Sequence, residues 1–318
     1  MSADPIRRIA DAVLYEGYVL WPYRRSALKN QRRWTFGGVY PAAHAARRGD
    51  DPCELRAECL VEGDPDVRVA VRFLHVVHRQ PTHAGEPVDE LCAGGERHLA
   101  WDEAVERELE LDLGAACAIA VPAGSEREPL GDEDAIVRSW RALSGEVRTD
   151  AAELSPGVHR ITVRVRNESA FDGGDREAAL LQTFCSTHVV LRARGGAFVS
   201  LTDPPPEHAA AAAGCENAGV WPVLVGEAGD RSTVLASPII LEDHPQIAPE
   251  SPGDLFDGGE IDQMLVLNIL SLTEEERREM RDADPRTREI LERTEALSEE
   301  ELMRLHGAIR EFGMARGR

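Results

Sequence analysis

The chain has 318 residues with 36 Lys/Arg against 57 Asp/Glu, a formal charge of −21; a field of that sign repels polyphosphate and argues against a general nucleic-acid or acidic-membrane binder. With 42% hydrophobic and 29% charged residues it has the composition of a folded rather than a disordered chain. Its length allows one large β domain or a domain with an appendage.

The charge is uneven. Residues 1–49 hold nine Lys/Arg against three Asp/Glu, a net of +6, whereas residues 50–272 hold 17 against 41, a net of −24. Residues 1–12 lack an apolar leader core and no run approaches 18 apolar residues, so a cytoplasmic protein without a membrane span is expected. Six cysteines (Cys53, Cys59, Cys92, Cys117, Cys185, Cys215) form no C-x-x-C pair, which favours reduced thiols.

Along the chain, the first informative stretch is 15–40, YEGYVLWPYRRSALKNQRRWTFGGVY. It holds 7 of the 16 aromatics, interleaved with basic residues. Arginine grips carboxylate or phosphate in a fork and stacks on rings, so Trp21, Tyr23, Arg24, Arg25, Lys29, Arg32, Arg33 and Trp34 form the candidate partner-binding set. The plainer reading is a basic surface that neutralises the acidic body of its own chain.

Next comes a β body. In 67–77 Val67, Val69, Val71, Phe73, His75 and Val77 alternate with Arg68 and Arg72, the period-2 spacing of a half-buried strand. Ile161, Val163 and Val165 repeat it in 159–165, and Val189, Leu191 and Ala193 in 187–194. Gly195 and Gly196 then predict a hairpin turn, with 197–201 as its return strand. Weaker patterns predict strands at 13–20, 33–40, 55–62, 107–113, 117–121, 136–148, 233–241 and 264–271. Strands so spaced, without amphipathic helices between them, predict a mainly β fold, an antiparallel β-sandwich-like body over 1–271. Residues 204–213, three prolines before an alanine run, predict a long loop or a short exposed helix.

Residues 272–318 predict a helical C-terminal appendage. Thr273 with Glu276 and Ser298 with Glu301 are spaced as capping boxes, and Asp284 before Pro285 suits a helix start. Leu302, Leu305, Ile309 and Phe312 form one apolar stripe, to be covered by the β body or by a second copy, which leaves a homo-oligomer open.

Two further constellations bear on metal binding. The acidic segment 241–263 includes Asp254, Asp257 and Glu260 three apart, hard oxygen ligands for calcium or magnesium, although the spacing is not that of an EF-hand and Asp beside Gly is usually a turn residue. His75, His78 and His83, and Cys185 with His188, lack the paired spacings of a zinc site; His75 on an apolar face reads as a satisfied core histidine. No G-x-S-x-G, P-loop, G-x-G-x-x-G or H-E-x-x-H motif is present. No cofactor is expected.

Several stretches together carry a resemblance: VLYEGYVLWPYRRSALKNQRRWTFGGVYP near the start, GAFVSLTDPP at 196–205, WPVLVGE at 221–227, SPIILEDHPQIAPESPGDLFDGGEIDQ at 237–263, and LTEEER opening the tail. They resemble an uncharacterised bacterial family associated with gene clusters of nickel-iron hydrogenases and their maturation proteins. The resemblance implies a non-enzymatic accessory or assembly protein whose partner is a hydrogenase subunit or maturation factor, and it transfers no catalytic residue. Two alternatives stay open: an enzyme with its site between the basic 21–36 stretch and the acidic 250–262 loop, and a structural subunit that self-associates.

Overall fold

The structure is a computed structural model that describes residues 36–245 and 272–283 continuously, and positions 7, 9, 10, 14, 269, 288, 291, 292 and 294–296 singly. Strand makes up 52% and helix 14% of it, and an antiparallel sheet curls into a half-barrel. The expected mainly β class is therefore what the chain adopts. In order, the described elements are α1 (Ala42–Ala45), β1 (Glu54–His83), β2 (Glu86–Pro87), β3 (Glu90–Ala93), β4 (Glu96–Leu99), β5 (Trp101–Asp112), β6 (Ala116–Val121), β7 (Gly124–Pro129), β8 (Asp134–Trp140), β9 (Leu143–Ser155), β10 (Val158–Asn167), α2 (Arg176–Leu180), β11 (Cys185–Val199), α3 (Ala209–Ala213), β12 (Trp221–Leu224), β13 (Thr233–Ser237) and α4 (Glu274–Ala283). No helix among them is long and apolar enough to cross a membrane.

β1 organises the sheet. Its 30 residues pair along one edge with β10 and then β5, and along the other with β11 and then β8. The path runs β12-β13-β11-β1-β10-β9-β6. Alternation fixes which side faces the core: Leu55, Ala57, Cys59, Val61, Val67, Val69, Val71 and Phe73, all odd-numbered, are at most 3% exposed and meet Val147, Ile161, Val163, Leu191 and Phe198 in the main core. Phe73 packs on Phe184 with ring centroids 4.7 Å apart and the planes tilted by 31°.

A strand this long can curl only if it bends. It does so between Gly63 and Asp66, where the register with β11 shifts. Gly63 has φ 91°, Gly195, next to its ladder partner Gly196, has φ 77°, and a Cβ on Gly63 would lie 3.3 Å from the Gly195 carbonyl oxygen. The hairpin expected at Gly195–Gly196 is thus corrected. β11 runs straight through the glycine pair, and residues 197–199 prolong it along β1 rather than returning. The dipeptide signals backbone freedom, which serves a shared bend as well as a turn.

Other boundaries moved for local reasons. The expected 136–148 strand is two, β8 and β9, broken at 141–142, and the 233–241 strand stops at Ser237, before Pro238. Of the expected 13–20 and 264–271 strands, the described Leu14 and Ile269 are helical and most other positions lie outside the described residues; among the described residues of 33–40, Val39 makes an isolated bridge, to Phe184. Residues 209–213 form the short helix α3. At α4 the capping box holds: Glu276 N–H donates to Thr273 Oγ1 at 3.2 Å, and Thr273 N–H donates to the Glu276 carboxylate at 2.9 Å. Ser298, Glu301, Asp284, Pro285 and the 302–312 stripe lie outside the described residues.

The outer face of β1 is covered in sections by non-local segments. Glu58, whose side chain is fully buried, accepts from Arg56, from Thr162 Oγ1 at 3.0 Å and from the Glu216 N–H at 2.7 Å, and its own N–H donates to Asn217 Oδ1 at 2.7 Å. Burial alone would raise this carboxyl, but the Glu216 N–H, Arg56 and Thr162 together hold it below the usual carboxylate range. Glu62 likewise accepts from His208 Nε2 at 2.9 Å and from Arg231; these hydrogen bonds, that of His208 first, lower its pKa. Each carboxylate pins a distant loop to the long strand.

Candidate functional site

Four of the sequence segments singled out above, near 37–41, 196–205, 221–227 and 237–244, meet at the β12–β13 end of the sheet. Trp221 at the head of β12 pairs with Ser237 at the end of β13, and Leu224 pairs with Val234. Asp243 then clasps two other segments: its Oδ1 accepts the Leu224 N–H at 2.8 Å, and its Oδ2 accepts the hydroxyl of Ser200. Ser200 Oγ in turn accepts the Asp203 N–H at 2.8 Å, closing the SLTD turn. His244 N–H donates to the Leu224 carbonyl at 2.7 Å, so the LEDH segment lies along β12.

The fourth segment arrives from the N-terminal side. Gly37, at φ 56°, presses on the ring of Pro238 so closely that a Cβ would collide with it, and its carbonyl accepts the Thr187 N–H at 3.0 Å. The glycine is required twice, by conformation and by space. The basic, aromatic 15–40 stretch is therefore anchored near its end, where Val39 is bonded to Phe184 and Gly37 lies against the residue that follows β13. This is the physical link between the expected partner-binding stretch and the described fold. Trp21, Tyr23, Arg24, Arg25, Lys29, Arg32, Arg33 and Trp34 themselves lie outside the described residues, as do Asp254, Asp257 and Glu260.

This end of the sheet exposes apolar area. Trp221 is 45% and Ile240 73% exposed, while Ile239 and Leu241 on either side of Ile240 turn inward onto a core of Ile9, Val190, Val223 and Leu235. Alternation about a pinned backbone thus forces Ile240 outward. β12 also ends the strand path, so one of its edges has no strand beside it among the described residues. An exposed tryptophan and an exposed isoleucine on the segments so pinned are equipped to bury area against another polypeptide.

The middle of the outer face carries charge instead. β5 presents Glu106, Glu108, Glu110 and Asp112 along β1, whose Arg68 and Arg72 face them. Arg72 is buried and donates to Glu106 at 3.1 Å, with Glu108 at 3.7 Å. Arg68 is 62% exposed, and its distances to Asp112 and Glu110, 3.6 and 3.8 Å, are too long for hydrogen bonds.

The histidines separate into core and surface. His75 is buried on the inner face and pushed down to about 4, by burial first and the Arg107 charge second. It is a core histidine as expected, but not a satisfied one, since its Nε2 has no hydrogen-bond partner. His188 is the same, pushed down to about 4 by burial, with Nδ1 3.1 Å from the Ser186 carbonyl oxygen. His78 and His83 are on the surface, each paired at 2.7 Å with a carboxylate, Asp102 and Asp134 respectively. The irregularity between Arg72 and Leu74 sets Cys185 opposite Leu74 and His188 opposite Arg72, yet each bonds to backbone carbonyls, Cys185 Sγ to Thr183 at 3.7 Å. Burial raises the Cys59 thiol, and raises Cys215 to about 11, so neither is a thiolate at neutral pH. Among the described residues no group of three or more His, Cys, Asp or Glu side chains is disposed to hold a metal ion, and all six cysteines are free.

Sequence reading missed Trp221 and Ile240 as site residues, although both stand in motifs that carry the resemblance. The signal was a large apolar residue on a short strand after a proline-rich loop, which periodicity alone assigns to the core. Compared with known proteins, the chain matches no protein-family model and no curated protein. Its class rests on its own fold: a mainly antiparallel β protein with a half-barrel sheet and a helix beyond it.

Proposed function

We propose that the protein is a non-enzymatic accessory or assembly protein that docks on another protein through the β12–β13 end of its sheet. One observation carries the reading: four separate motif segments are bonded together there, and the surface they hold in place exposes Trp221 and Ile240. Exposed tryptophan is a recurrent centre of binding energy, because it buries much area for little lost rotamer freedom. The basic 21–34 stretch, whose chain joins the described fold at Gly37 beside Pro238, supplies arginines suited to acidic groups on the partner.

The partner we name for testing is a nickel-iron hydrogenase subunit or maturation factor, which rests on the sequence resemblance alone. The experiment is co-purification from the native host of wild type, a Trp221→Ala/Ile240→Ser variant and an Arg24/Arg25/Arg32/Arg33 alanine variant. Retention of a hydrogenase component by wild type, with loss in the first variant, supports both surface and partner. Retention undiminished in that variant overturns the surface; absence of any such component from wild type overturns the partner.

A further inference from the structure

β6 closes the strand path at the end opposite β12, and among the described residues only β9 lies beside it. The Ala115 carbonyl accepts the Thr149 N–H at 3.0 Å, and bonded and non-bonded pairs alternate along an antiparallel ladder. In the register that sets Ala118 opposite Glu146, the bonded pairs of β6 are therefore Cys117–Val147, Ile119–Gly145 and Val121–Leu143. Ala116, Ala118 and Ala120 turn their N–H and C=O groups the other way, toward the free edge. Among the described residues one group is bonded there, Cys117 Sγ, 3.7 Å from the Ala118 carbonyl oxygen, and a thiol is a weak donor.

An open row of donors and acceptors is a template for another strand, and sheets ordinarily blunt it with charge or proline. β7, the edge strand beyond β8, is blunted in this way by Glu126, Arg127, Glu128 and Pro129. β6, ACAIAV, has neither. Residues 113–124 hold no charged side chain, and on the neighbouring β9 Glu146 and Arg148 form an ion pair at 2.7 Å. Two copies of a chain of net charge −21 meet little local repulsion along such an edge.

The outward residues also read the same in both directions. Ile119 is buried, with Cys117 and Val121 packed on the same core, while Ala116, Ala118 and Ala120 are exposed. Laid antiparallel on itself about Ala118, β6 sets Ala116 opposite Ala120 of the second copy and Ala118 opposite its twin. Cys117 then meets Ile119, so inward residues face inward ones and outward alanines face alanines. We propose that a second copy of this chain pairs with β6 along this edge, so that two half-barrels share one continuous sheet. The contact lies at the other end of the strand path from the β12–β13 docking face and does not depend on it. Six residues of edge pairing bury less than the roughly 1,200–2,000 Å² of a standard stable interface, so the dimer is reversible.

The test is sedimentation velocity of the full chain over a hundredfold range of concentration, in about 0.15 M KCl to screen the net charge. Expected is a monomer–dimer equilibrium. Ala118→Pro deletes the outward N–H and leaves the ladder to β9 intact, and should raise the dissociation constant tenfold or more. Ala118→Lys keeps the test decisive should the proline variant fail to fold: its ammonium sits beside Glu146 of its own chain but opposes its twin across the pairing, and it should weaken the dimer to a similar degree. Matching urea midpoints show that a variant keeps the fold. Trp221→Ala/Ile240→Ser should leave the dimer unchanged, which separates this edge from the docking reading. A monomer at every concentration, a dimer indifferent to a folded Ala118 variant, or a dimer lost in the Trp221/Ile240 variant would each overturn the proposal.

Discussion

Glu58 and Glu110 both project from the outer face of the sheet near an arginine, yet they do opposite work. Glu58 is fully buried, with four donors closed around it from three segments, whereas Glu110 is 63% exposed and 3.8 Å from Arg68. A buried carboxylate cannot be released without stranding charge, so it fixes architecture. An exposed one contributes about 0–1 kcal/mol and leaves its arginine able to exchange partners. The same pairing of residue types makes a structural staple at Glu58 on β1 and an open, solvent-screened pair where Glu110 of β5 meets Arg68 of β1. What differs is what covers them: loop 215–218 closes over Glu58, and nothing comparable among the described residues closes over Glu110.

The largest effect should come from the staple. Glu58→Ala should cost about 3 kcal/mol by denaturant unfolding, since it removes one partner of a buried pair and frees the Glu216 N–H. Glu110→Ala should cost less than about 0.5 kcal/mol. Equal losses at the two sites would break the contrast between them.

Acidification sharpens it further. His75 and His188 titrate near 4 in the folded chain, below their ordinary 6.5, so between those values the unfolded chain binds protons that the folded chain refuses. Stability is full above pH 6.5 and falls as pH drops toward 4, by up to about 3 kcal/mol for each histidine. Glu58 and Glu62, lowered from 4.5, add their loss only below that pH. Urea midpoints at pH 7 and pH 5 bracket that window, in which the exposed His83, raised by its hydrogen bond to Asp134, acts with the opposite sign, and His188→Gln should shrink the difference between them. A flat profile over that interval would contradict the burial assigned to both rings.

Packing provides the next step down. Gly145 faces the Arg166 carbonyl oxygen and the Phe184 ring with no room for a Cβ, so Gly145→Ala should cost about 2 kcal/mol. Gly157→Ala, at an open turn where φ is 73°, should cost about 1 kcal/mol from conformation alone. The smallest change in stability belongs to the proposed docking face: Trp221→Ala should change unfolding stability by less than about 0.5 kcal/mol while abolishing capture of the partner proposed above. A large loss of stability there would mean that Trp221 serves the fold.

The alternation in 67–73, 159–165 and 187–194 was legible because a half-buried strand needs only its own sequence to show which side is wet. The capping box at Thr273 and Glu276 was legible for the same reason, as both partners lie within one turn. The hairpin at Gly195–Gly196 was misread because a glycine pair reports freedom of φ and not the direction the chain then takes. The bend depended on Gly63, more than a hundred residues away. Trp221 and Ile240 were passed over because apolar type predicts burial on average, and only the pinning of Asp243 to Ser200 and Leu224 turns Ile240 outward.

From the sequence alone came the mainly β class, the apolar face of each clear strand, the helical start at 273 and the acidic surface, all consequences of spacing within a few residues or of composition. Tertiary structure decided where β1 bends, which carboxylates are sealed and which stay wet, and that motifs at 36–41, 196–205, 221–227 and 237–244 share one surface. Those depend on contacts between residues far apart in the chain, and burial, which sets both the energy of a charge and the reach of a side chain, is a property of the whole fold rather than of any segment.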